Sequence, residues 1–153
     1  MKHINFYTKL YSFIIFNLIC LPLQTAAQQI ILKSPNGKIE LSVFTEEQLS
    51  YSIKRDNQLL LDKSPVGLIL EDQILGIKPK INRQTNRSLV KENITTDNYK
   101  RSSFEVSYNE LDLKLKGGYG IIFRAYNEGI AYSFYSDIKH PIINKNEIPE
   151  MNF

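Results

Sequence analysis

The fold is decided by residues 123–132, with the sequence FRAYNEGIAY. Apolar and aromatic residues alternate with polar ones on both sides of the triplet Asn127-Glu128-Gly129. A strand places successive side chains on opposite faces, so this alternation is typical of two half-buried strands. The short polar interruption that contains glycine predicts a tight turn between them. The stretch therefore predicts a β-hairpin, and it favours an all-β domain.

The same alternation recurs earlier in the chain, in residues 39–43, 49–53 and 111–115. Beyond the N-terminal segment, no stretch carries apolar residues at the spacing of an amphipathic helix. Gly117-Gly118 supplies a turn just before the decisive hairpin, since glycine tolerates a positive φ. Many short strands separated by turns predict an antiparallel β-sandwich or a barrel.

The middle of the chain fits this pattern less well. Residues 84–98 are polar and rich in asparagine and threonine, which predicts either a loop or weak edge strands. Pro79 would confine any strand over residues 77–83 to an edge or to an irregular stretch. Asn109-Glu110 separates two alternating segments and predicts a bend or a β-bulge.

The N-terminus has the order of a secretory signal peptide. Two lysines precede a largely apolar run over residues 10–23, and the small residues Thr25-Ala26-Ala27 follow it. Cleavage after Ala27 is expected, so residues 1–27 form the signal peptide and the product is periplasmic. A membrane helix is the alternative, but a span needs ~20 apolar residues and this run is shorter. Lipidation at Cys20 is a further alternative, which the bulky residues before that cysteine disfavour.

Charge and cysteine content exclude several classes of function. The chain has 153 residues, a net charge of +3 and one cysteine. Removal of the signal peptide takes away two lysines and the cysteine, which leaves a net charge of about +1 and no thiol. Nucleic-acid binding needs a basic patch, whereas lysine and arginine are scattered here among acidic residues. Neither nucleic acid nor, after cleavage, a membrane is an expected partner.

Four short segments carry a resemblance to one protein family. They are SPNGK at residues 34–38, SPVGL at 64–68, YNEL at 108–111 and the hairpin at 123–132. In this order they resemble motifs of the N-terminal domain of family 97 glycoside hydrolases. Ser133 departs from the pattern, because the family tends to carry a basic residue after the hairpin aromatic.

The resemblance implies a domain organisation and an activity for the whole enzyme. Members of the family are exported α-glycosidases, mainly of Bacteroidetes, and include α-glucosidases and α-galactosidases. Their signal peptide is followed by a galactose-mutarotase-like β-supersandwich, a catalytic (β/α)8 barrel and a small β domain. The barrel supplies the catalytic residues, and a calcium ion sits in the active site. Residues 28–153 are accordingly expected to be the N-terminal β-sandwich, incomplete at its C-terminal end and without the barrel.

Glycoside hydrolysis needs two facing carboxylates, about 5 Å apart for retention or about 6.5–9.5 Å for inversion. The candidates are Glu46, Glu47, Glu71, Asp72, Glu110, Asp112 and Glu128. Adjacent residues of a strand point to opposite faces, so Glu71-Asp72 cannot form such a pair if extended. Glu110 and Asp112 share a face, but it is the polar face beside Lys114, and a solvated surface is expected. Glu128 lies in the predicted turn and favours solubility.

Arg124 has two interpretations. It either pairs with a carboxylate such as Glu105 and braces the sandwich, or it contacts sugar hydroxyls or the neighbouring barrel. The same choice, between sugar stacking and packing in a core or domain interface, applies to a set of tyrosines. These are Tyr99, Tyr119, Tyr132 and Tyr135. His140, the one histidine after the signal peptide, has no partner at metal-ligand spacing and is expected in a loop.

These observations favour a non-catalytic β-sandwich module of an exported α-glycosidase. Its expected partners are the catalytic barrel, which it supports, and an oligo- or polysaccharide, to whose binding it contributes. No catalytic, cofactor-binding or metal-ligating residue is predicted within the chain, and calcium is expected only in the active site of the parent enzyme. The alternative is a free-standing carbohydrate-binding or adhesion module. A small self-sufficient hydrolase would need a paired acid and base that the sequence does not offer.

Overall fold

A computed structural model describes residues 29–95, 103–139, 141–148 and 151–153. The predicted signal peptide, Tyr99 and His140 lie outside the described residues. The regular elements of the described ranges are all strands, and none of these ranges holds a helix long and apolar enough for a membrane span. In chain order the strands are β1 (Gln29–Lys33), β2 (Ile39–Thr45), β3 (Leu49–Arg55), β4 (Gln58–Pro65), β5 (Leu68–Leu70), β6 (Ile74–Leu75), β7 (Ile81–Thr95), β8 (Ser103–Leu115), β9 (Tyr119–Tyr126), β10 (Ile130–Ser136) and β11 (Asn144–Glu147).

The described strands form two four-stranded sheets and one small sheet. The first sheet has the order β1-β2-β3-β4, and the second has the order β10-β9-β8-β7. The small sheet has the order β11-β5-β6. All neighbouring strands in these sheets are antiparallel. The predicted all-β, antiparallel fold class is therefore confirmed.

The core lies between the two larger sheets. Leu41 and Val43 of β2 and Ile121 and Phe123 of β9 have no exposed surface and belong to one apolar cluster. The ring of Tyr51 on β3 lies 6.2 Å from that of Phe123, which joins the two sheets. Burial of each such side chain contributes about 1.5–3 kcal/mol, so this shared interior is what holds the sandwich together.

The decisive hairpin forms as predicted. β9 pairs with β10 so that Phe123 lies opposite Tyr132 and Arg124 lies opposite Ala131. The backbone N–H of Tyr126 donates to the carbonyl of Gly129 at 2.9 Å and closes the turn. Alternation then places Phe123 in the core and Arg124 on the opposite face of the sheet.

The SPNG segment is a turn in which side-chain oxygens accept hydrogen bonds from backbone N–H groups. The Ser34 hydroxyl accepts the N–H of Ile39 at 3.0 Å, and the Asn36 amide oxygen accepts the N–H of Lys38 at 3.0 Å. The N–H of Asn36 donates in turn to the Asn127 amide oxygen at 3.0 Å. Two of the segments that resemble the family motifs therefore meet, and they tie the first sheet to the decisive hairpin.

The SPVG segment packs two stretches of backbone closely together. A Cβ atom on Gly67 would lie 2.5 Å from the carbonyl oxygen of Leu75, so only glycine fits there without a shift of the backbone. The Ser64 side chain is fully buried, and its hydroxyl donates to the carbonyl of Asp62 at 2.8 Å. The first contact packs Leu75 of the small sheet against the segment that follows β4, and the second is internal to β4.

The polar middle of the chain is a long edge strand. β7 runs from Ile81 to Thr95, so the edge-strand alternative is confirmed over these residues and the loop alternative is wrong there. Residues 96–98 of the predicted segment lie outside the described residues. Among the described strands β7 has one partner, and it is exposed along much of its length, so it does not need the apolar alternation that marks the central strands.

The expected bend at Asn109-Glu110 is wrong, because these two residues pair in unbroken register with β9. The irregularity lies instead in the neighbouring strand, between Arg87 and Val90 of β7. The Asn109 amide oxygen accepts the N–H of Leu89 at 2.6 Å, and Leu89 has a positive φ of 53°. The asparagine side chain therefore stabilises a bulge that another strand contains.

We expect Gly67→Ala to lower the free energy of unfolding by about 1–3 kcal/mol, because the new methyl group would collide with the Leu75 carbonyl. Urea denaturation would measure the change. Gly129→Ala is the matched control, since its added methyl group would meet no atom within 4 Å, and we expect a change below about 0.5 kcal/mol. Equal losses in the two variants would contradict the close packing at Gly67.

Candidate functional site: the outer face of the second sheet

The candidate site is the face of the second sheet that points away from the core, here called the outer face. Residues at even positions of β8 and β9 lie on it, because their odd-numbered neighbours belong to the core cluster. Glu110 lies directly opposite Arg124, and Tyr108 lies directly opposite Tyr126. The structure thus brings together Arg124 and one of the predicted carboxylates.

Glu110 is buried, with 4% of its surface exposed. Its Oε2 atom accepts a hydrogen bond from Arg124 Nε at 2.9 Å, and its Oε1 atom lies 3.5 Å from an Nη atom of Arg87. The expectation of a solvated carboxylate is therefore wrong. The two arginines come from the strands on either side and cover the carboxylate, and such a buried charge needs partners of this kind.

Arg124 is held from several sides at once. Its guanidinium carbon lies 4.5 Å from the centre of the Tyr108 ring, and an Nη atom lies 3.7 Å from Glu92. Burial lowers the pKa of Arg124, but hydrogen bonds to Glu110 and Tyr126 and the electrostatic effects of Tyr108 and Glu110 together raise it by more, so the net shift is upward. These contacts confirm that Arg124 pairs with carboxylates.

The carboxylate expected to pair with Arg124 is a different one from that observed. Glu105 forms an exposed pair with Lys91, with 3.2 Å between Nζ and Oε1. It occupies an odd position of β8 and so lies on the side of the strand opposite to Glu110. The apolar alternation changes parity between residues 104–108 and 111–115, so the sequence contained no signal that Glu105 and Glu110 lie on opposite sides of one unbroken strand.

Tyr108 completes what we call the Arg124 cluster. Only 1% of its surface is exposed, and its ring centre lies 5.2 Å from that of Tyr126. Burial first, and then a hydrogen bond to Glu92, raises the pKa of the Tyr108 hydroxyl. The members of the cluster are Arg87, Glu92, Tyr108, Glu110, Arg124 and Tyr126. Two arginines and two glutamates give the cluster no net charge.

Asp112, a further carboxylate on this face, has its own partner. The Tyr135 hydroxyl donates to Asp112 Oδ1 at 2.8 Å. Burial and this hydrogen bond raise the pKa of Tyr135 to about 12. Farther along the sheet, Lys114 pairs with Asp137. Glu110 and Asp112 therefore share a face, as predicted, but each has an oxygen engaged by a neighbouring side chain.

The other candidate carboxylates lie in turns and are exposed. Glu46 pairs with Lys63 at 2.8 Å, Glu47 with Lys78 at 3.6 Å and Glu71 with Lys145 at 3.5 Å. Asp72 and Glu128 are exposed, and Glu128 follows the decisive hairpin's first strand as predicted. The structure does not bring these groups together into a facing pair.

The described tyrosines are used mainly for packing. Tyr119 is 7% exposed, and its hydroxyl accepts the N–H of Gly76 at 3.4 Å. The Tyr132 ring lies 5.9 Å from that of Tyr51 and 6.1 Å from that of Phe123. Core packing is therefore the structural role of Tyr119 and Tyr132.

A groove of about 240 Å³ lies beside the Arg124 cluster. It is lined by Ile122, Arg124, Tyr126, Ala131, Tyr132 and Ser133. Ser133, the position that departs from the family resemblance, lies exposed at this groove. In the described part of the chain, no three histidine, cysteine or acidic side chains are placed so that they could hold a metal ion. The described residues therefore do not by themselves form a complete metal site.

We expect Glu110→Ala to cost about 3 kcal/mol of unfolding free energy, because it leaves two arginines without their buried partner. Chemical denaturation would measure the loss. Glu105→Ala, on the other side of the same strand, is the control and should change stability by less than about 0.5 kcal/mol. A Glu110 variant no less stable than the Glu105 variant would refute this structural role.

We expect Tyr135 to make stability depend on alkaline pH. Its pKa is raised from 10.0 to about 12, so the unfolded chain loses this proton at a pH where the native chain retains it. The stabilisation is complete below pH 10 and is lost as the pH rises towards 12. Urea titrations at several pH values should show a shallower decline in Tyr135→Phe than in the wild type. Parallel declines would contradict the shift.

The chain matches the family described as Glycosyl-hydrolase 97 N-terminal over residues 32–153. A retaining alpha-galactosidase from Bacteroides thetaiotaomicron is 30% identical over 143 residues, which cover 93% of this chain and 22% of that enzyme. The sequence similarity therefore spans nearly the whole of this chain but only a minor part of its relative.

Solved structures show the same fold. A beta-arabinopyranosidase aligns with a TM-score of 0.71 at 23% identity, over 82% of this chain and 21% of its own. A Glycoside Hydrolase Family 97 enzyme from Pseudoalteromonas, solved in complex with panose, aligns with a TM-score of 0.66 at 19% identity. That alignment covers 78% of this chain and 20% of the other. The chain spans about a fifth of the length of these relatives, and the match over residues 32–153 places it in the family of N-terminal domains of family 97 glycoside hydrolases.

Proposed function

We propose that this chain is the accessory N-terminal domain of an exported α-glycosidase, that it supports a catalytic (β/α)8 barrel, and that it does not itself cleave sugars. The observation that carries the proposal is the match to the N-terminal domain family over residues 32–153. The engagement of Glu110 by two arginines and of Asp112 by Tyr135 supports the same proposal. Carboxylates fixed in this way brace a sheet and are poorly suited to exchange protons with a substrate.

The proposed substrate class is an oligo- or polysaccharide with α-glycosidic bonds. The curated relative is a retaining alpha-galactosidase, and the Pseudoalteromonas enzyme was solved with panose, an oligosaccharide. In the intact enzyme the domain would form one wall of the sugar-binding pocket. A calcium ion in that active site belongs to the proposal, with ligands from other parts of the enzyme, and such an ion stabilises negative charge on oxygen.

Export to the periplasm is the third part of the proposal. Its support is the basic start, the apolar run over residues 10–23 and the small residues that end at Ala27. The single cysteine lies before that point, so the exported domain would have no thiol to oxidise.

Reconstitution in two pieces tests the proposal. One piece is this chain, and the other is the B. thetaiotaomicron α-galactosidase without the segment that this chain matches, here called the shortened enzyme. We expect the chain alone to release no p-nitrophenol from an aryl α-galactoside. Added to the shortened enzyme, it should restore activity by about tenfold or more and raise the midpoint of thermal unfolding, since docking stabilises the bound partner.

Two results would contradict the proposal. Hydrolysis by the chain alone would establish a self-sufficient hydrolase. Oligosaccharide binding by the chain in calorimetry, without any effect on the shortened enzyme, would establish the free-standing carbohydrate-binding module. An unrelated β-sandwich protein at the same concentration is the control for non-specific stabilisation.

A further inference from the structure

The SPNG segment contains an exposed asparagine that is followed by glycine, Asn36-Gly37. This pair is prone to a reaction within the chain, because glycine has no side chain to obstruct attack by its backbone nitrogen on the asparagine amide. The nitrogen loses its proton to solvent and bonds to the side-chain carbonyl carbon, and the bond from that carbon to Nδ2 breaks. The leaving nitrogen takes up a proton and departs as ammonia. Water then opens the cyclic imide, a succinimide, to aspartate or isoaspartate.

The folded turn engages the atoms that this reaction needs. The N–H of Gly37 donates to the carbonyl of Ser34 at 2.9 Å, so the nitrogen cannot lose its proton unless that bond is broken. The Asn36 side-chain oxygen accepts the Ser34 hydroxyl at 2.7 Å and the Lys38 N–H at 3.0 Å. These two donors polarise the carbonyl, but they also fix the side chain. Both reacting groups are therefore held by other partners in the folded chain.

The turn is connected to two other parts of the molecule. The backbone N–H of Asn36 donates to the Asn127 amide oxygen at 3.0 Å, which links the turn to the hairpin. Ser34 is 2% exposed, and its hydroxyl oxygen accepts the N–H of Ile39 at the start of β2 at 3.0 Å. Opening of the turn therefore also disturbs its contacts with β2 and with the hairpin.

We propose that Asn36 is a site of spontaneous deamidation that the folded turn suppresses, so that the reaction proceeds from molecules in which the turn has opened. Its rate then follows the population of the open turn, as expected when opening and closing are fast compared with the chemical step. Isoaspartate lengthens the main chain at this position, because the chain then runs through the former side chain. A turn modified in this way cannot re-form the contacts of Asn36 in their original geometry. This inference does not depend on the proposed function.

A comparison of the folded and unfolded chain tests the proposal. The full chain is incubated at mildly alkaline pH with and without urea, and conversion at each asparagine is followed by peptide mapping with mass spectrometry. We expect Asn36 to react about tenfold or more faster in urea than in buffer. Asn127, which is followed by glutamate, is the internal control and should react more slowly than Asn36 in urea.

Two results of that comparison would overturn the proposal. A rate at Asn36 in buffer equal to or above that in urea would show that the folded turn promotes the reaction or leaves it unaffected. A rate in urea no higher at Asn36 than at Asn127 would show that the Asn36-Gly37 pair is not a preferred site.

A substitution in the turn tests how the suppression arises. Ser34→Ala removes the hydroxyl that holds the Asn36 side chain and leaves the Ile39 N–H without its acceptor. We expect deamidation in buffer to become about tenfold faster, with the rate in urea unchanged. Glu128→Ala, an exposed substitution in the hairpin turn, is the matched control and should alter either rate by less than about twofold.

Equal rates in buffer for Ser34→Ala and the wild type would contradict suppression by the turn. If circular dichroism shows that Ser34→Ala unfolds the chain, Asn127→Ala takes its place, because it removes only the exposed link to the Asn36 N–H. The expected acceleration in buffer is then about threefold, and its absence would count equally against the proposal.

Discussion

The register between β8 and β9 is the constraint on which the rest of the structure depends. It places Leu111 opposite Phe123 on the core side and Glu110 opposite Arg124 on the outer face. Side chains alternate with a period of two, so a slip by one residue would exchange these two sets. Charges would then enter the core, and aromatic rings would enter water. The sandwich and the Arg124 cluster are therefore two results of a single alignment.

The pair of Glu110 and Arg124 forms in the observed register, in which the two residues lie directly opposite each other. Desolvation of two charges offsets much of their attraction, so a buried ion pair adds little compared with an apolar substitute. Removal of only one partner of the pair, however, leaves the other charge uncompensated. The cluster thus disfavours wrong registers, and it does so close to the point where β8 extends beyond its pairing with β9.

The sequence predicted those parts of the fold that depend on neighbours along the chain. The hairpin at residues 123–132 followed from alternation and a glycine turn, both of which are local. The length of β7 was missed, because an exposed edge strand needs no apolar pattern. The burial of Glu110 was missed as well, since Arg87 and Arg124 cover it from other strands. The expected pairing with Glu105 was wrong because the apolar alternation changes parity at Asn109-Glu110, whereas the pairing of β8 with β9 continues there without a break.

One hydrogen bond, from the Asn36 N–H to the Asn127 amide oxygen, connects turns that are 91 positions apart in the chain. Contacts at such separation form late, because closing a long loop costs conformational entropy before the contact contributes any stabilisation. The amino-terminal meander can therefore pair its own strands early, but its first turn gains its last partner only after synthesis has passed the hairpin. Folding of this domain is therefore slow to complete, because it requires the later half of the polypeptide.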